Sequence, residues 1–356
     1  MQKVKEFFLR IGRFIKRHKA ATILVTLAIL LGGFFIWDSF PASGGIVPDI
    51  TIKQKPKEER VRAPISGRLT SKDRAERKPM AVVIENHPDS RPQSGINKAS
   101  LVYETFAEGG ITRWLAVFQE EDVAEIGPVR SARNYFVEWA LGFNALFAHV
   151  GESSDALDLI SKYKVLDLNQ FSLGSFFWRD NKRYSPHNVY TTTDKLREAA
   201  KSKKYATEDS KVPSFMFKDD PKESDRPESL SFVVNFNPNF AVTWTYDKKN
   251  NQFLRSMAGK KQVDRVTSEQ FAAKNVIVEF SEFTYGTTRT GEQSTKIRTT
   301  GTGKAIFYID GKRTAGKWER SGVTSAPRFF DESGKEVVLN GGTTWVEVVP
   351  TGTVVQ

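Results

Sequence analysis

Apolar residues are most concentrated near the N-terminus, where residues 20–37 (AATILVTLAILLGGFFIW) carry no charged side chain. As an α-helix this stretch spans about 27 Å, close to the bilayer hydrocarbon thickness of about 30 Å. Seven Lys and Arg residues precede it within residues 1–19, against one acid, Glu6. Because cytoplasmic flanks carry excess Lys and Arg, the pattern predicts a transmembrane helix over 20–37 preceded by a basic cytoplasmic tail, 1–19.

A cleaved signal peptide is the alternative for this segment. The basic leader is long for a signal peptide, and Ala42-Ser43-Gly44 offers only a weak small-residue cleavage pattern. Residues 38–78 are rich in Pro, Gly and charge and have no apolar period, which predicts a basic stalk. With a retained anchor, everything after the helix lies outside the cytoplasm.

Beyond the stalk, short strand-like runs are separated by segments of helical periodicity. Strands are predicted at 80–85, 100–106, 113–119 and 145–150, and helices at 129–143, 153–161 and 193–201. Ser153, Ser154 and Asp155 suit the start of the second helix. This alternation predicts an α/β domain over 79–210, with a mixed sheet, flanking helices and at least one crossover.

A charged stretch over 211–229 then predicts an interdomain linker. From residue 230 the pattern is almost entirely β, with turn residues at Asp310-Gly311 and Ser333-Gly334. It predicts a mainly antiparallel all-β C-terminal domain over 230–356. The predicted strands are 231–236, 241–247, 252–257, 275–280, 304–310, 316–321, 335–339 and 344–349.

The formal charge of +11 is concentrated in the N-terminal segments. Residues 1–19 carry +6, residues 20–79 carry +4 and residues 80–356 carry +1. A nearly neutral outer part argues against the salt-sensitive phosphate binding of a nucleic-acid protein, so no nucleic-acid partner is expected. The chain has no Cys, which excludes disulfides, thiolate metal sites and cysteine nucleophiles.

Arginines cluster at the ends of predicted strands in the first domain, where an open α/β sheet places its ligands. A planar guanidinium is a fixed cation that matches carboxylate and phosphate. These residues therefore predict an anion-binding cleft, whereas the alternative is structural pairing with Glu85, Glu104, Glu108, Glu138 and Asp180. The candidate ligand-binding arginines are Arg91, Arg113, Arg130, Arg133 and Arg183.

Three of the four histidines, His87, His149 and His187, fall in the same polar segments. His149 and His187 are the candidate catalytic residues, as acid or base. A zinc site formed by His149, His187 and Glu152 is an alternative, but no metalloprotease or hydrolase signature is present and no metal is predicted. The sequence contains neither a phosphate-binding loop nor a dinucleotide fingerprint, so no cofactor is expected.

Several strings give the sequence a family resemblance. IGPVRSARNYFVEWA (126–140), HVGES (149–153), RYSPHNVYT (183–191) and GKWERSGVTSAPRFFDESGKEVVLNGGTTWVEVVP (316–350) resemble the YerB-like bacterial lipoproteins. The resemblance covers about residues 79 to 350 and implies a two-domain protein on the outer face of the bacterial cytoplasmic membrane. The sequence departs from the family because it contains no cysteine to acylate. The resemblance includes a further string, KPMAVVIENHPDSRPQSGINKASLVYETFAEGGITRWLAVF (78–118), which contains Gln93 and Glu104. These two residues and Asn188, in the string 183–191, complete the candidate ligand-binding set.

These observations predict a single-pass protein of the bacterial cytoplasmic membrane, with a cytoplasmic N-terminus and an extracytoplasmic bulk. Its expected partners are that membrane, through residues 20–37, and a cell-wall component or envelope protein. The expected function is to bind, or to hydrolyse or transfer, an anionic envelope ligand. Candidate ligands are a peptidoglycan fragment, a wall polymer and a phosphorylated lipid carrier. The alternative function is a non-catalytic envelope scaffold.

Overall fold

The computed structural model describes residues 59–207 and 212–356. The predicted tail, transmembrane helix and most of the stalk, residues 1–58, lie outside these ranges. Within the described residues, every helix is too short or too polar to cross a bilayer. The described chain is mainly β with few helices.

Residues 79–207 alternate strands with helices, as their apolar pattern predicts. Residues 59–78, predicted as the end of the stalk, instead form two short strands and a helical turn, with Ala63 and Ile65 fully buried. The elements are β1 (Arg60–Arg62), β2 (Leu69–Ser71), α1 (Lys72–Ala75), β3 (Met80–Glu85), β4 (Leu101–Phe106), β5 (Thr112–Phe118), α2 (Asn134–Gly142), β6 (Leu146–His149), α3 (Ser154–Tyr163), β7 (Asp167–Asn169), β8 (Trp178–Arg179), β9 (Val189–Tyr190) and α4 (Thr193–Ser202).

Residues 212–356 form strands and no α-helix. The strands are β10 (Met216–Lys218), β11 (Ser231–Asn235), β12 (Ala241–Asp247), β13 (Gln252–Met257), β14 (Lys260–Lys261), β15 (Ala272–Ala273), β16 (Asn275–Ser281), β17 (Phe283–Thr287), β18 (Gln293–Ile297), β19 (Gly301–Ile309), β20 (Lys312–Arg320), β21 (Arg328–Asp331), β22 (Val338–Asn340) and β23 (Thr344–Pro350).

One sheet of ten strands runs through both parts of the chain, in the order β21-β20-β19-β16-β23-β4-β5-β3-β6-β7. The two parts join where β23 pairs in parallel with β4, from Thr344 opposite Leu101 to Glu347 opposite Glu104. Both strands are buried over these residues, so each needs a hydrogen-bonding neighbour on either side. The C-terminal part is therefore not exclusively antiparallel, because β23 pairs in parallel with both β4 and β16.

Side chains of the long sheet alternate between two apolar layers. On β3, Val82 and Ile84 face the layer shared with the small sheet β11-β12-β13-β14, whereas Ala81 and Val83 face the layer that contains α2. This is the period of two that a strand imposes on its side chains. The long sheet is thus covered by the small sheet on one face and by α2 on the other.

Helix boundaries follow the capping chemistry more closely than the apolar period. Ser153 caps α3 by accepting a hydrogen bond from the Ala156 amide at 3.3 Å, as predicted. The helix predicted at 129–143 begins only at Asn134, because residues 129–132 are extended. There Val129 bridges Ile84, and the Arg130 amide donates to the Val83 carbonyl.

The predicted linker over 211–229 includes a strand. β10, Met216–Lys218, pairs in parallel with β22. Phe215 and Phe217 beside it pack on the apolar layer that holds α2, and the Phe215 ring stacks on Phe329 at a centroid distance of 6.0 Å. Aromatic side chains within this polar stretch therefore hold the connection against the sheet.

Candidate functional site

Two adjoining cavities open beside the loop that follows β3. The first, of about 750 Å³, is lined by residues 87, 88 and 91–93, by the turn at Gly109 and Gly110, and by C-terminal residues between Asn237 and Val263. The second, of about 430 Å³, is lined by Asp89, Arg91, Lys182, Arg183, Tyr184, His187 and Arg265. Arg91 lines both. We call the two cavities together the basic groove.

Cations dominate the lining of the basic groove. Its one acidic side chain is Asp89, which is 72% exposed. Part of the positive charge is compensated outside the lining, since Arg265 forms an ion pair with Asp180 at 2.5 Å. The remaining cations keep the groove electropositive. The Lys and Arg side chains that line it are Arg91, Lys182, Arg183, Lys260, Lys261 and Arg265.

Arg91 is the central cation of the groove. It is half-buried and forms no ion pair with a carboxylate among the described residues. Its Nη2 donates to the Asn86 carbonyl at 2.9 Å, its Nε donates to Asn86 Oδ1 at 3.2 Å, and its guanidinium lies 5.0 Å from the Phe240 ring centroid. Burial, with the nearby Arg255, lowers the pKa of Arg91 to about 10. The side chain is therefore still protonated at neutral pH and is held in place by uncharged groups.

Arg183 approaches the groove from the loop before β9. Its Nη2 donates to the Pro92 carbonyl at 2.6 Å, which ties residues 183 and 92 together. Asn188 supports this loop by donating to the carbonyls of Asp180 and Arg183, both at 3.2 Å. Asn188 is buried, so it supports the loop and does not face the groove.

A network of buried amides forms the floor of the first cavity. Asn86 Oδ1 accepts from Gln93 Nε2 at 3.0 Å, and Asn86 Nδ2 donates to Thr112 Oγ1 at 2.7 Å and to Glu104 Oε1 at 3.2 Å. Gln93 also donates to the Glu85 carbonyl at 3.0 Å. Gln93, one of the predicted ligand residues, therefore lines the cavity, but its Nε2 already donates two hydrogen bonds to protein groups.

Glu104 lies beneath this floor, in the protein interior. It pairs with Arg255, and both side chains are 0% exposed. Arg255 is enclosed by Trp114, Trp244 and Trp345, with its guanidinium carbon 4.7 to 5.7 Å from the three ring centroids. The structure thus gives Glu104 an internal partner and no access to the groove, and its prediction as a ligand-binding residue is corrected to a buried ion pair.

Glu85, His87 and His187 form a compact cluster between the cavities. Glu85 is 1% exposed, and its Oε2 lies 2.9 Å from His187 Nδ1 while its Oε1 lies 3.0 Å from Arg130 Nε. A carboxylate only accepts, so His187 donates its Nδ1 proton. The two imidazole rings stack at a centroid distance of 4.8 Å with an angle of 16° between their planes.

The same cluster contains a possible set of metal ligands, since donor atoms of His87, Asp89 and His187 lie within 4.8 Å of one another. Two features oppose a metal there. Imidazole lone pairs lie in the ring plane, and two nearly parallel stacked rings do not direct them at one point. The surrounding Lys and Arg side chains also repel a cation. The arrangement suits an anion better.

Three of the predicted ligand arginines are engaged by carboxylates. Arg130 contacts Glu85, Arg133 forms two hydrogen bonds to Glu108, and Arg113 Nη2 lies 3.6 Å from Glu108. Arg113 is also 3% exposed. For these residues the structure shows the pairing that the sequence left open as the alternative. Only Arg130 connects to the groove, through Glu85.

His149 lies apart from His187 in a fully buried site. Its Nδ1 is 2.8 Å from the Gly151 carbonyl and its Nε2 is 2.6 Å from Asp167 Oδ1, so both ring nitrogens are engaged. Its Nδ1 is also 3.6 Å from Glu152, but His187 is not part of this set. The alternative zinc site of His149, His187 and Glu152 is therefore not assembled, and His149 has no free nitrogen for proton transfer.

Sequence reasoning missed the C-terminal side of the groove. Lys260, Lys261 and Arg265 lie in the string GKKQVDR, which belongs to a predicted β-rich domain with no strand-end cluster of polar residues. Their basic character was visible, but nothing in the one-dimensional pattern placed them opposite Arg91. Phe240 and Met257 complete that wall.

The fold and groove define a two-part, mainly β protein with an electropositive cleft at the junction of its parts. Residues 65–206 match the N-terminal domain of a protein family described as of unknown function, DUF3048, and residues 232–346 match its C-terminal domain. The chain belongs to this family. It is 34% identical over 297 residues to YerB of Bacillus subtilis (strain 168), which is named as a candidate lipoprotein; the match covers 82% of this chain and 87% of that protein.

A solved structure has the same fold. The crystal structure of the YerB protein from Bacillus subtilis superposes with a TM-score of 0.74 at 32% sequence identity. The superposition covers 83% of this chain and 99% of the YerB chain. The resemblance to YerB-like proteins is confirmed by both comparisons.

Proposed function

We propose that this protein is an extracytoplasmic protein of the bacterial cell envelope that binds an anionic ligand in the basic groove. The observation that carries the proposal is Arg91, a half-buried guanidinium without a carboxylate partner in the described residues that lines both cavities. An uncompensated buried charge is costly. A bound anion would supply the missing counter-charge.

The lining favours a ligand with more than one negative group. Arg91 and Arg183 offer planar donors suited to phosphate or carboxylate, and Lys260 and Lys261 add mobile point charges at the other end. Peptidoglycan fragments, wall polymers and phosphorylated lipid carriers all carry such groups. Since the outer part as a whole is nearly neutral, selectivity would come from this local cluster.

The proposed location rests on the sequence and on the relative. The candidate lipoprotein YerB is a membrane-attached relative by its name, whereas this chain has no cysteine to acylate and carries the apolar segment 20–37. We infer that this segment anchors the protein, with residues 1–19 in the cytoplasm. Protease added to intact spheroplasts should then degrade the bulk of the chain and spare an N-terminal tag.

Binding can be tested on the full-length protein in detergent by calorimetry, with short-chain polyphosphate and polyglutamate as phosphate and carboxylate probes. Wild type should bind at least one probe, and Arg91→Ala should weaken that binding at least tenfold. Arg328→Ala is the matched control, because Arg328 is an exposed arginine of β21 paired with Glu336 and lies outside the cavity linings.

The result separates two functions. Equal binding by wild type and Arg91→Ala, or no binding of either probe, would contradict the anion proposal and favour the non-catalytic scaffold. Weaker probe binding by Arg91→Ala but not by Arg328→Ala, with an unchanged melting temperature, would support anion binding in the basic groove.

A further inference from the structure

We propose that the basic groove cleaves a phosphate ester, with Nε2 of His187 transferring the proton and Glu85 holding the imidazole in position. This inference rests on the proposed function, since it requires an anion in the groove. It goes beyond binding by assigning a reaction class and the roles of two residues.

The Glu85 and His187 pair has the geometry of an oriented base. Glu85 is 1% exposed, so its carboxylate is fixed, and its Oε2 accepts the Nδ1 proton of His187 at 2.9 Å. This leaves the lone pair on Nε2 of a neutral His187, and Nε2 has no hydrogen-bond partner among the described residues. A carboxylate on the far nitrogen both selects the tautomer and stabilises the imidazolium that forms on proton uptake.

The neighbours hold this pair rigidly. Arg130 Nε contacts the second oxygen of Glu85 at 3.0 Å, and the His87 ring covers one face of the His187 ring. His187 lines the second cavity with its side chain 17% exposed, so Nε2 is accessible to a small reactant but not freely solvated. Such a placement brings a proton-transfer group beside the ligand without requiring a conformational change.

The lining selects among reaction classes. Acyl transfer by a nucleophilic side chain needs Ser, Thr or Cys, and none of these lines either cavity. Glycoside hydrolysis needs two carboxyl groups, and Asp89 is the single one in the lining. Phosphoryl transfer depends mainly on positioning and on cations that neutralise the phosphate oxygens, which Arg91, Arg183 and the lysines supply.

The step consumes one water. The water oxygen forms a bond to phosphorus while its proton passes to Nε2 of His187, and the bond from phosphorus to the ester oxygen breaks. The departing oxygen takes up one proton, which the imidazolium returns through solvent, so His187 ends neutral. Nothing is oxidised or reduced, and the products are an alcohol and a phosphate with one ester link fewer.

The test uses the full-length protein in detergent with bis(p-nitrophenyl) phosphate and p-nitrophenyl phosphate, and p-nitrophenyl acetate as an ester without phosphate. Wild type should release p-nitrophenolate from at least one phosphate ester. His187→Ala should lower kcat by about 10²- to 10⁴-fold, the usual range for loss of a general base. Its polyphosphate affinity should change less than threefold, which shows that the groove is intact.

Two further readouts separate chemistry from structure. Added imidazole should restore part of the turnover of His187→Ala and should not affect Arg91→Ala, which fails in binding. Glu85→Gln should lower kcat at least tenfold with little change in KM, because the amide cannot stabilise the imidazolium; Arg328→Ala should match wild type.

If wild type turns over neither phosphate ester faster than His187→Ala does, the cleavage proposal is overturned. Intact polyphosphate binding in the same preparation would leave the binding proposal standing. Absence of both turnover and polyphosphate binding in wild type would overturn the cleavage proposal and the binding proposal together. Equal kcat of wild type and His187→Ala with a substantial rate would assign the reaction to other residues and would also overturn this inference.

Discussion

Glu104 and Arg255 form an ion pair in which both side chains are 0% exposed, although 151 residues separate them in the sequence. Glu104 lies on β4 of the N-terminal family domain and Arg255 on β13 of the C-terminal one. The pair lies directly under the amides that floor the basic groove. It therefore couples the two domains at the point where the candidate site is built.

Removing the cation of this pair should destabilise the whole described fold. Arg255→Leu leaves Glu104 and Glu347 buried without a counter-charge, and loss of one partner of a buried pair costs about 3–5 kcal/mol. Urea unfolding at pH 7.5 should show this loss, whereas Arg328→Leu should change the free energy of unfolding by less than about 0.5 kcal/mol.

The cost of Arg255→Leu should fall in acid. Burial, together with the Glu104 carboxylate, holds the pKa of Glu347 well above its usual range, so this group readily takes up a proton when the cation is lost. A variant that is equally destabilised at pH 5 and pH 8 would contradict this account of the buried charges.

Glu279 on β16 should make stability depend on pH. It is 3% exposed, and burial raises its pKa to about 7 against the opposing effect of Arg320 and Arg298. The folded state therefore holds this proton more tightly than the unfolded state, whose carboxyl titrates near its usual value of 4.5. The contribution is fully present below pH 4.5 and is lost as pH rises to about 7.

Glu279→Gln should remove that dependence. Urea unfolding of wild type should lose about 2–3 kcal/mol between pH 4.5 and pH 8 from this group, and the glutamine variant should show a correspondingly smaller loss. Glu282→Gln, at a largely exposed carboxylate nearby in sequence, is the control. If the free energy of unfolding depends on pH equally in wild type and in Glu279→Gln, Glu279 is not the source of that dependence.

His149 should matter for stability and not for the groove. His149→Ala removes two hydrogen bonds from a fully buried site and leaves Asp167 without its partner, so the free energy of unfolding should fall by about 2–4 kcal/mol. Polyphosphate affinity measured below the melting temperature should stay within twofold of wild type. A selective loss of binding would restore the prediction that His149 is a functional-site residue.

Both ends of the groove should contribute to binding of a long anion. Lys260→Ala with Lys261→Ala, and separately Lys182→Ala with Arg183→Ala, should each weaken polyphosphate binding about five- to tenfold and reduce its dependence on salt. Lys201→Ala with Lys203→Ala, exposed lysines outside the cavity linings, is the matched control. Calorimetry at about 50 and about 300 mM salt measures both effects; an effect at one end alone would restrict the ligand to that cavity.

Local patterns predicted many elements because their causes are local. The unbroken apolar run of β3, the Ser153 cap of α3 and the Thr192 cap of α4 each act within a few residues. The prediction failed where distant partners compete with local preference. Residues 129–132 have helical apolar spacing, yet they are extended because Ile84 and Glu152 offer bridging backbone groups.

The candidate site shows the same division. Arg91, Gln93, Arg183 and His187 were identifiable as polar residues of strand-end loops, and all of them line the groove. Arg113, Arg133 and Glu104 have the same residue types and similar loop or strand-end settings, but each finds an internal partner. Charge in a sequence does not specify its counter-charge, because the partners of these three residues lie 5, 25 and 151 residues away.

The sequence by itself determined the strand and helix alternation, the concentration of charge in residues 1–79, the family, and two of the six cations of the groove. These follow from side-chain periodicity, capping and composition, which act along the chain. Only the tertiary structure decided that β23 pairs with β4, that Lys260 and Lys261 lie across from Arg91, and that Glu85 holds His187. Those relationships arise from burial and pairing between distant segments, where the partner of each polar group is chosen by the packed fold.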